Sequence, residues 1–322
     1  MRRLSDLVPE AWRPDGFLAY RERFPATPAL ALPDMAATHA FIRRWETLAT
    51  DPIAGLRALL AAREATHTVV MIRGYLGNYM RGNLVSACRA LRAAGLDAFI
   101  AKQRAGGTIA DNARMIAPQV AARLARADHK GQCAAPRRLV FAGHSKGGLE
   151  ALQVLADRPE LAARTEAVVL SQTPRGPSPV LESVLCGMHA SSLGARRRRA
   201  EWVQRLGLRV LMARPGGLEL TGTRLVPTLA RLDAAPRSFR LMQTASWSSR
   251  PTTWLDSFHE RLGEIRPGVA HDGQFYVEDL LWPGHEHVLL PHLDHAQPVM
   301  DGFGFDSARY WVTMLAGVIG GV

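Results

Sequence analysis

The segment 143–147 reads G-H-S-K-G, a G-x-S-x-G spacing in which a serine hydroxyl can act as a nucleophile. The pattern indicates a catalytic serine only where a strand precedes it and a helix follows it. Here an apolar run at 138–142 precedes it, and a Leu- and Ala-rich stretch at 147–157 follows it. The flanking glycines remove side chains that would collide where strand and helix approach. The sequence therefore predicts a strained Ser145 on a sharp strand-to-helix turn, with its hydroxyl at a helix N-terminus.

A nucleophilic serine needs a histidine as base and a carboxylate that orients the base, in the chain order Ser, Asp or Glu, His for this arrangement. Of the histidines after Ser145, only His292 and His295 follow the last predicted strand, at 287–291. His292 falls at the end of that strand, whereas His295 lies in the following loop, where an imidazole can reach over the edge of the sheet. We predict His295 as the base and keep His292 as the alternative.

The segment 271–274, H-D-G-Q, supplies the acid candidate. It follows the predicted strand at 239–243 and precedes the candidate bases. An Asp-Gly pair marks a tight turn, and such a turn can present a carboxylate at the carboxyl edge of a sheet. We predict Asp272 as the acid, with Asp256 and Glu264 as weaker candidates.

Acyl transfer also needs two N–H donors for the oxyanion of the tetrahedral intermediate. One is the N–H of Lys146, directly after the nucleophile. The other is expected in the glycine-flanked segment 73–78, R-G-Y-L-G-N, which follows the first apolar run. We predict the N–H of Tyr75 as this second donor, with that of Leu76 as the alternative.

The elements that must position these residues are short apolar runs alternating with helical spacing. Six runs read as buried parallel strands, and they lie at 68–72, 97–101, 138–142, 167–171, 239–243 and 287–291. Helical spacing occurs between them at 80–94, 111–127 and 147–157. This alternation predicts an α/β fold with a doubly wound, mostly parallel sheet.

Two parts of the chain fall outside this alternation. Residues 34–64 read as two short helices, so we treat 1–66 as a helical N-terminal extension and 67–322 as the α/β domain. From 174 to 236 the sequence shows no clear strand. An insertion of that length in a compact domain is usually functional, so we predict a helical lid at about 175–235, before the acid-bearing turn.

The motifs resemble those of the α/β-hydrolase superfamily, and within it the bacterial triacylglycerol lipases and esterases. The match runs from about 68 to 300: R-G-Y-L-G is similar to their H-G-x-x-G stretch, G-H-S-K-G-G to their nucleophile elbow and H-D-G-Q to their N-D-G acid turn. The segments R-P-E-L and S-Q-T-P-R-G-P-S-P are similar to their R-P and A-P-x-x-G-S segments. The resemblance implies a serine esterase or lipase with no cofactor.

By this resemblance Ser145, Asp272 and one of His292 and His295 form the triad, and Tyr75 and Lys146 are the oxyanion donors. It also implies that 175–235 is a lid over an apolar acyl pocket.

The chain departs from this family at several points. Arg73 replaces the usual His, and Lys146 stands where many relatives have Met, His or Gln. Asp294 only weakly resembles the calcium ligand of these lipases. The N-terminus lacks an apolar signal-peptide core. These departures favour an intracellular esterase, with a thioesterase, a phospholipase and a polyester depolymerase as alternatives. A non-catalytic binding protein on the same fold is the alternative from a different class.

Composition excludes several other classes of protein. With 47% hydrophobic and 21% charged residues in 322, the chain reads as an ordinary globular protein. Its three scattered cysteines, Cys88, Cys133 and Cys186, suit neither a disulfide framework nor a zinc site. No run is apolar for long enough to span a bilayer, and 311–322 is expected to pack on the core as a helix. We expect a cytoplasmic protein.

The net charge of +11 favours anionic partners. The basic run, which consists of Arg196, Arg197, Arg198 and Arg199, lacks interleaved aromatic residues, so we expect no nucleic-acid binding. Docking of this run at an anionic lipid surface is kept as a secondary hypothesis. The His- and Asp-rich region 271–295 contains no H-E-x-x-H spacing, so we expect no metal site.

Overall fold

The protein is described here by a computed structural model. The structure describes residues 10–13, 17, 21–27, 30, 34–62, 67–129, 137–185, 210, 212–248, 252–253 and 255–319.

Six parallel strands form one sheet in the order β2-β1-β3-β4-β5-β6. The strands are β1 (His67–Ile72), β2 (Asp97–Ile100), β3 (Arg138–His144), β4 (Thr165–Ser171), β5 (Arg240–Trp247) and β6 (Glu286–Pro291). Each overlaps one of the six predicted apolar runs. The chain moves outward from β1 to β2 and then returns past β1 to add β3 to β6 on the other side. The predicted doubly wound α/β fold is therefore confirmed.

Eleven α-helices lie entirely within the described part of the chain. They are α1 (Ala36–Thr47), α2 (Pro52–Ala62), α3 (Val85–Ala93), α4 (Ile109–His129), α5 (Lys146–Asp157), α6 (Pro159–Arg164), α7 (Pro179–Leu185), α8 (Pro215–Leu218), α9 (Gly222–Ala234), α10 (Asp256–Ile265) and α11 (Ser307–Ile319). The helix predicted at 80–94 begins only at Val85, because Gly82 and Leu84 adopt positive φ angles of 84° and 61° that an α-helix cannot contain.

Helices cover both faces of the sheet. Alternate residues of each strand point to opposite faces, so each face packs with its own set of helices. Val69 and Met71 of β1 pack with α1, α2, α3 and α11 in one buried cluster. Val70 and Ile72 pack with α4, α5 and α9 in the other. Helix α11 is buried on the core, as expected for the apolar C-terminus. The parallel arrangement also brings the carboxyl ends of all six strands to one edge, where the candidate site residues follow.

Helices α1 and α2 lie within the first cluster. Trp45 of α1 is 1% exposed and stacks under the guanidinium of Arg309, 4.1 Å from its ring centroid. The division of the chain at residue 66 stays a prediction. None of the helices in the described ranges has both the length and the apolar character that crossing a bilayer requires.

Candidate active site

Ser145 lies between β3 and α5 with φ 53° and ψ −131°. Residues other than glycine rarely adopt a positive φ, so the backbone at Ser145 is strained. The turn is held from both sides: the Ser145 N–H donates to the carbonyl of Ser171 at 2.8 Å, and the Gly148 N–H donates to the carbonyl of Ser145 at 3.0 Å. The strand, turn and helix that the sequence predicted around Ser145 are all present.

Two glycines permit this turn through close backbone approach. A Cβ on Gly143 would lie 2.5 Å from the Cα of Gly148, and a Cβ on Gly147 would lie 2.5 Å from the carbonyl oxygens of both Ile72 and Arg73. Both separations are well below van der Waals contact. The elbow therefore packs directly against the chain that leaves β1.

Asp272 and His295 form a hydrogen-bonded pair. The distance from His295 Nδ1 to Asp272 Oδ2 is 2.7 Å, and Asp272 is fully buried. Asp272 Oδ1 accepts the N–H groups of Gln274 and Phe275, each at 2.9 Å, in a turn that Gly273 completes with φ 92°. These bonds orient the carboxylate so that Oδ2 faces the imidazole. With Nδ1 bound to Asp272, Nε2 is the ring nitrogen of His295 that could exchange a proton with a reacting group.

Ser145 and His295 line the same pocket. They are only 6% and 9% exposed, and the pocket has a free volume of about 120 Å³. Its walls are mostly apolar and include Leu181, Leu220 and Phe258. A hydroxyl and an imidazole that is bound to a buried carboxylate thus line a space that suits an apolar group.

The alternative residues occupy other surroundings. His292 follows β6 with φ 60° and is not in the described lining of this pocket, which does include His295. Glu264 is exposed on α10 and pairs with Arg261 at 2.9 Å. Asp256 begins α10, and its side chain lies outside the described part of the structure. Among the described carboxylates considered from sequence, Asp272 is the one bound to a candidate base.

The two predicted oxyanion donors lie on adjacent segments. Gly74 and Tyr75 line the pocket. The Leu76 N–H donates to the carbonyl of Ala105 at 3.1 Å, so this alternative is committed to the backbone. Lys146 is the first residue of α5, and the N–H groups of a first helical turn have no acceptor within their own helix.

The Lys146 side chain points into the protein, which the sequence analysis did not anticipate. It is 1% exposed and forms an ion pair with Glu150, which is fully buried one turn later in α5. Asn112 Nδ2 donates to Glu150 Oε1 at 2.7 Å, and Gln103 Nε2 donates to Glu150 Oε2 at 3.0 Å. Burial raises the pKa of Glu150, and the Lys146 ammonium opposes that shift. The i,i+4 spacing of Lys146 and Glu150, which places the two charges on one face of a helix, could have predicted this ion pair.

His144, next to the candidate nucleophile Ser145, supports the loop of His295. Its Nε2 lies 2.9 Å from the carbonyl oxygen of His295 and 3.2 Å from Gln172 Oε1. Both partners are acceptors, so this nitrogen carries the proton. Burial and the nearby His295 lower the pKa of His144 to about 3, which keeps the ring neutral. Its neutral ring therefore acts as a hydrogen-bond donor that anchors the main chain of the candidate base.

Asp294 is occupied by protein donors. Its Oδ1 accepts the N–H groups of Ala296 and Gln297 at 2.9 and 3.0 Å, and its Oδ2 accepts the hydroxyl of Thr252 at 2.7 Å. These bonds make Asp294 a residue that shapes the loop carrying His295. Within the described ranges, no group of three or more His, Cys, Asp or Glu side chains is arranged to hold a metal ion.

Only parts of the predicted lid are described, as helices α7, α8 and α9. The run Arg196 to Arg199 lies outside the described residues. Its proposed contact with an anionic lipid surface stays a prediction from sequence.

No protein-family model matches the chain. No curated protein sequence matches it either.

Solved structures do resemble it. A carboxyl esterase of metagenomic origin, MGS0156, superposes with a TM-score of 0.59 at 20% identity, over 79% of this chain and 76% of the esterase. The mature lipase BlEst2 of Bacillus licheniformis superposes with a TM-score of 0.53 at 16% identity, over 72% of this chain and 85% of the lipase. The chain therefore has the α/β-hydrolase fold, with a carboxyl esterase and a lipase among its structural neighbours at low sequence identity.

Proposed function

We propose that the protein is a serine hydrolase that cleaves carboxylic esters through an acyl-enzyme intermediate. The observation that carries this proposal is the buried hydrogen bond from His295 to Asp272, beside the pocket that the strained Ser145 also lines. Nucleophile, base and orienting acid follow in the chain order typical of this fold. A binding protein without catalysis has no need of all three features together.

In the proposed mechanism, Ser145 Oγ attacks the ester carbonyl carbon while His295 Nε2 takes the hydroxyl proton. Asp272 holds the imidazole in the tautomer that leaves Nε2 free and stabilises the imidazolium that forms. The N–H groups of Tyr75 and Lys146 bind the oxyanion of the tetrahedral intermediate. When this intermediate collapses, His295 gives its proton to the leaving alkoxide, and an alcohol departs.

A water molecule then repeats these steps on the acyl-enzyme. His295 takes a proton from the water, whose oxygen attacks the acyl carbon. Ser145 recovers its proton as the carboxylic acid leaves. The free enzyme is restored without any other reactant.

The segment at about 175–235 is proposed as the lid over the acyl pocket. Leu181 in α7 and Leu220 after α8 contribute apolar surface to the pocket. Helix α8 also approaches the loop of the proposed oxyanion donor, because a Cβ on Gly217 would lie 2.7 Å from the hydroxyl oxygen of Tyr75. These contacts favour an ester with an apolar acyl group. The carboxyl esterase and the lipase that share the fold are named for reactions of the same class.

The test is labelling by a fluorophosphonate probe together with turnover of p-nitrophenyl esters from C2 to C16, with acyl-CoA and phospholipid alongside. The wild-type protein is expected to label and turn over, and Ser145→Ala to lose labelling and at least about three orders of magnitude in kcat. The matched control is Ser86→Ala, which removes a hydroxyl that donates to Asp301 at 2.7 Å from α3. Turnover by Ser145→Ala within tenfold of wild type would refute the assignment.

A further inference from the structure

The two proposed oxyanion donors belong to different chain segments. Tyr75 lies in the loop that follows β1, and Lys146 is the first residue of α5. An oxyanion hole works only when both N–H groups point at the position that the oxyanion will occupy. Oxyanion binding therefore depends on the distance between this loop and this helix, and the contacts between them determine that distance.

A steric contact sets the lower limit of that distance. Gly147, in the first turn of α5, approaches the carbonyl oxygens of Ile72 and Arg73 so closely that a Cβ would lie 2.5 Å from each. The loop cannot move closer to the helix. Contact alone does not stop the loop from moving away.

A buried side chain links the two segments. Gln103 Nε2 donates to the carbonyl oxygen of Arg73 at 2.9 Å and to Glu150 Oε2 at 3.0 Å. Both partners are acceptors, so the amide nitrogen must face them. The carbonyl of Arg73 belongs to the peptide group directly before the one that carries the Tyr75 N–H. Gln103 therefore holds the loop within one peptide group of the proposed donor.

The other end of the link is fixed in α5. Glu150 is fully buried, one helical turn after Lys146, and it pairs with the Lys146 ammonium. Asn112 Nδ2 also donates to it at 2.7 Å. A carboxylate with this burial and these donors has one defined position. The hydrogen bonds thus run from Lys146 through Glu150 and Gln103 to Arg73, and they join the two segments that carry the proposed donors.

We propose that Gln103 and Glu150 are positioning residues that hold the N–H groups of Tyr75 and Lys146 at the separation an oxyanion requires. The proposal rests on the proposed esterase function and adds to it two residues that do not touch the substrate. Loss of the link lets the loop move away from α5. It therefore weakens binding of the tetrahedral transition state more than binding of the ground-state ester.

Gln103→Leu tests this proposal, because leucine is of similar size and donates no hydrogen bond. The matched control is Gln243→Leu in β5. Gln243 is 1% exposed, donates to the Trp282 carbonyl at 2.7 Å and accepts the Trp282 N–H at 2.6 Å. Its replacement by leucine therefore also removes two buried hydrogen bonds, but these bonds do not join the two segments that carry the proposed donors. The measurements are kcat, KM, Tm and the inhibition constant of a trifluoromethyl ketone, which forms a tetrahedral adduct on the serine.

For Gln103→Leu we expect kcat to fall about tenfold or more, and the affinity for the trifluoromethyl ketone to fall by the same factor. KM should stay within about threefold of wild type, since the oxyanion hole binds the ground-state ester much less strongly than the tetrahedral state. Gln243→Leu should leave kcat and ketone affinity near wild type when both are normalised to the active sites counted with a fluorophosphonate. A merely structural role of Gln103 would lower only the number of active sites.

Glu150→Gln is a second variant for use if Gln103→Leu folds poorly. It keeps the shape of residue 150 and alters its hydrogen bonds, and it should also lower kcat and ketone affinity together. Normal kcat and normal ketone affinity per active site in the variants, with an active wild type, would overturn the positioning proposal alone. A wild-type protein that neither labels nor turns over esters would overturn the esterase proposal as well, so the two failures are distinguishable.

Discussion

His295 is hydrogen-bonded to Asp272 twice, once through its side chain and once through its main chain. Its Nδ1 lies 2.7 Å from Asp272 Oδ2, and its N–H donates to the Asp272 carbonyl oxygen at 2.8 Å. The first bond orients the imidazole, and the second fixes the loop on which the imidazole is carried. The pair therefore has a defined geometry before any substrate binds.

The first prediction concerns Asp272→Asn. An asparagine at this position can donate from its amide, which favours the wrong tautomer of His295. We expect kcat for p-nitrophenyl esters to fall about 10³- to 10⁴-fold with little change in KM. The matched control is Asp97→Asn, which alters a half-buried carboxylate bound to Thr68 and Arg123 at the start of β2. A loss of kcat in Asp272→Asn no greater than in Asp97→Asn would contradict the role of Asp272.

The second prediction concerns Gly147→Ala. The new Cβ would lie 2.5 Å from two carbonyl oxygens of the chain that leaves β1, and the backbone must shift to admit it. We expect the free energy of unfolding to fall by about 1–3 kcal/mol, as for other overpacked sites, and kcat to fall with it because the elbow and the 73–78 loop move apart.

The control for that variant is Gly263→Ala in α10, where nothing lies within 4 Å of the new Cβ. Alanine is the better helix former, so this change should raise the free energy of unfolding by about 0.5–1 kcal/mol. Denaturant titration and steady-state kinetics measure both effects. Equal stability of the two variants would contradict the close approach at Gly147.

The third prediction concerns pH and the buried imidazole of His271. Burial, with a smaller contribution from the nearby His259, lowers the pKa of His271 from 6.5 to about 4, and the Asp272 carboxylate opposes that shift. In the unfolded chain this histidine binds its proton near pH 6.5, whereas in the folded protein it does so only near pH 4. The unfolded state thus binds more protons between these values, so this histidine lowers the free energy of unfolding as the pH falls from about 6.5 to 4.

The variant His271→Phe removes this contribution, which amounts to at most about 1.4 kcal/mol per pH unit. Phenylalanine suits the site because His271 Nδ1 is buried without a hydrogen-bond partner in the described structure. Denaturant unfolding at several pH values from 7 to 4.5 should give a flatter pH dependence for the variant than for wild type. Parallel curves for the two proteins would contradict the prediction.

The parts of the molecule that follow from local sequence were predictable. Six apolar runs gave the strands, because a buried parallel strand is apolar on both faces wherever it lies in the fold. The elbow at Ser145 was predictable for a similar reason, since its glycines and the strand and helix around it are adjacent in sequence. The start of α3 was not, because the left-handed conformation of Leu84 is not encoded in the type of that residue.

The partnerships at the site were decided by tertiary structure. His292 and His295 are three residues apart on one loop, and the sequence could only rank them. The bond to Asp272 depends on how the loops after β5 and β6 meet at the edge of the sheet. The link through Gln103 depends on three segments that are distant in the chain. Residue type and spacing report what a side chain can do, whereas long-range packing determines which partner it meets.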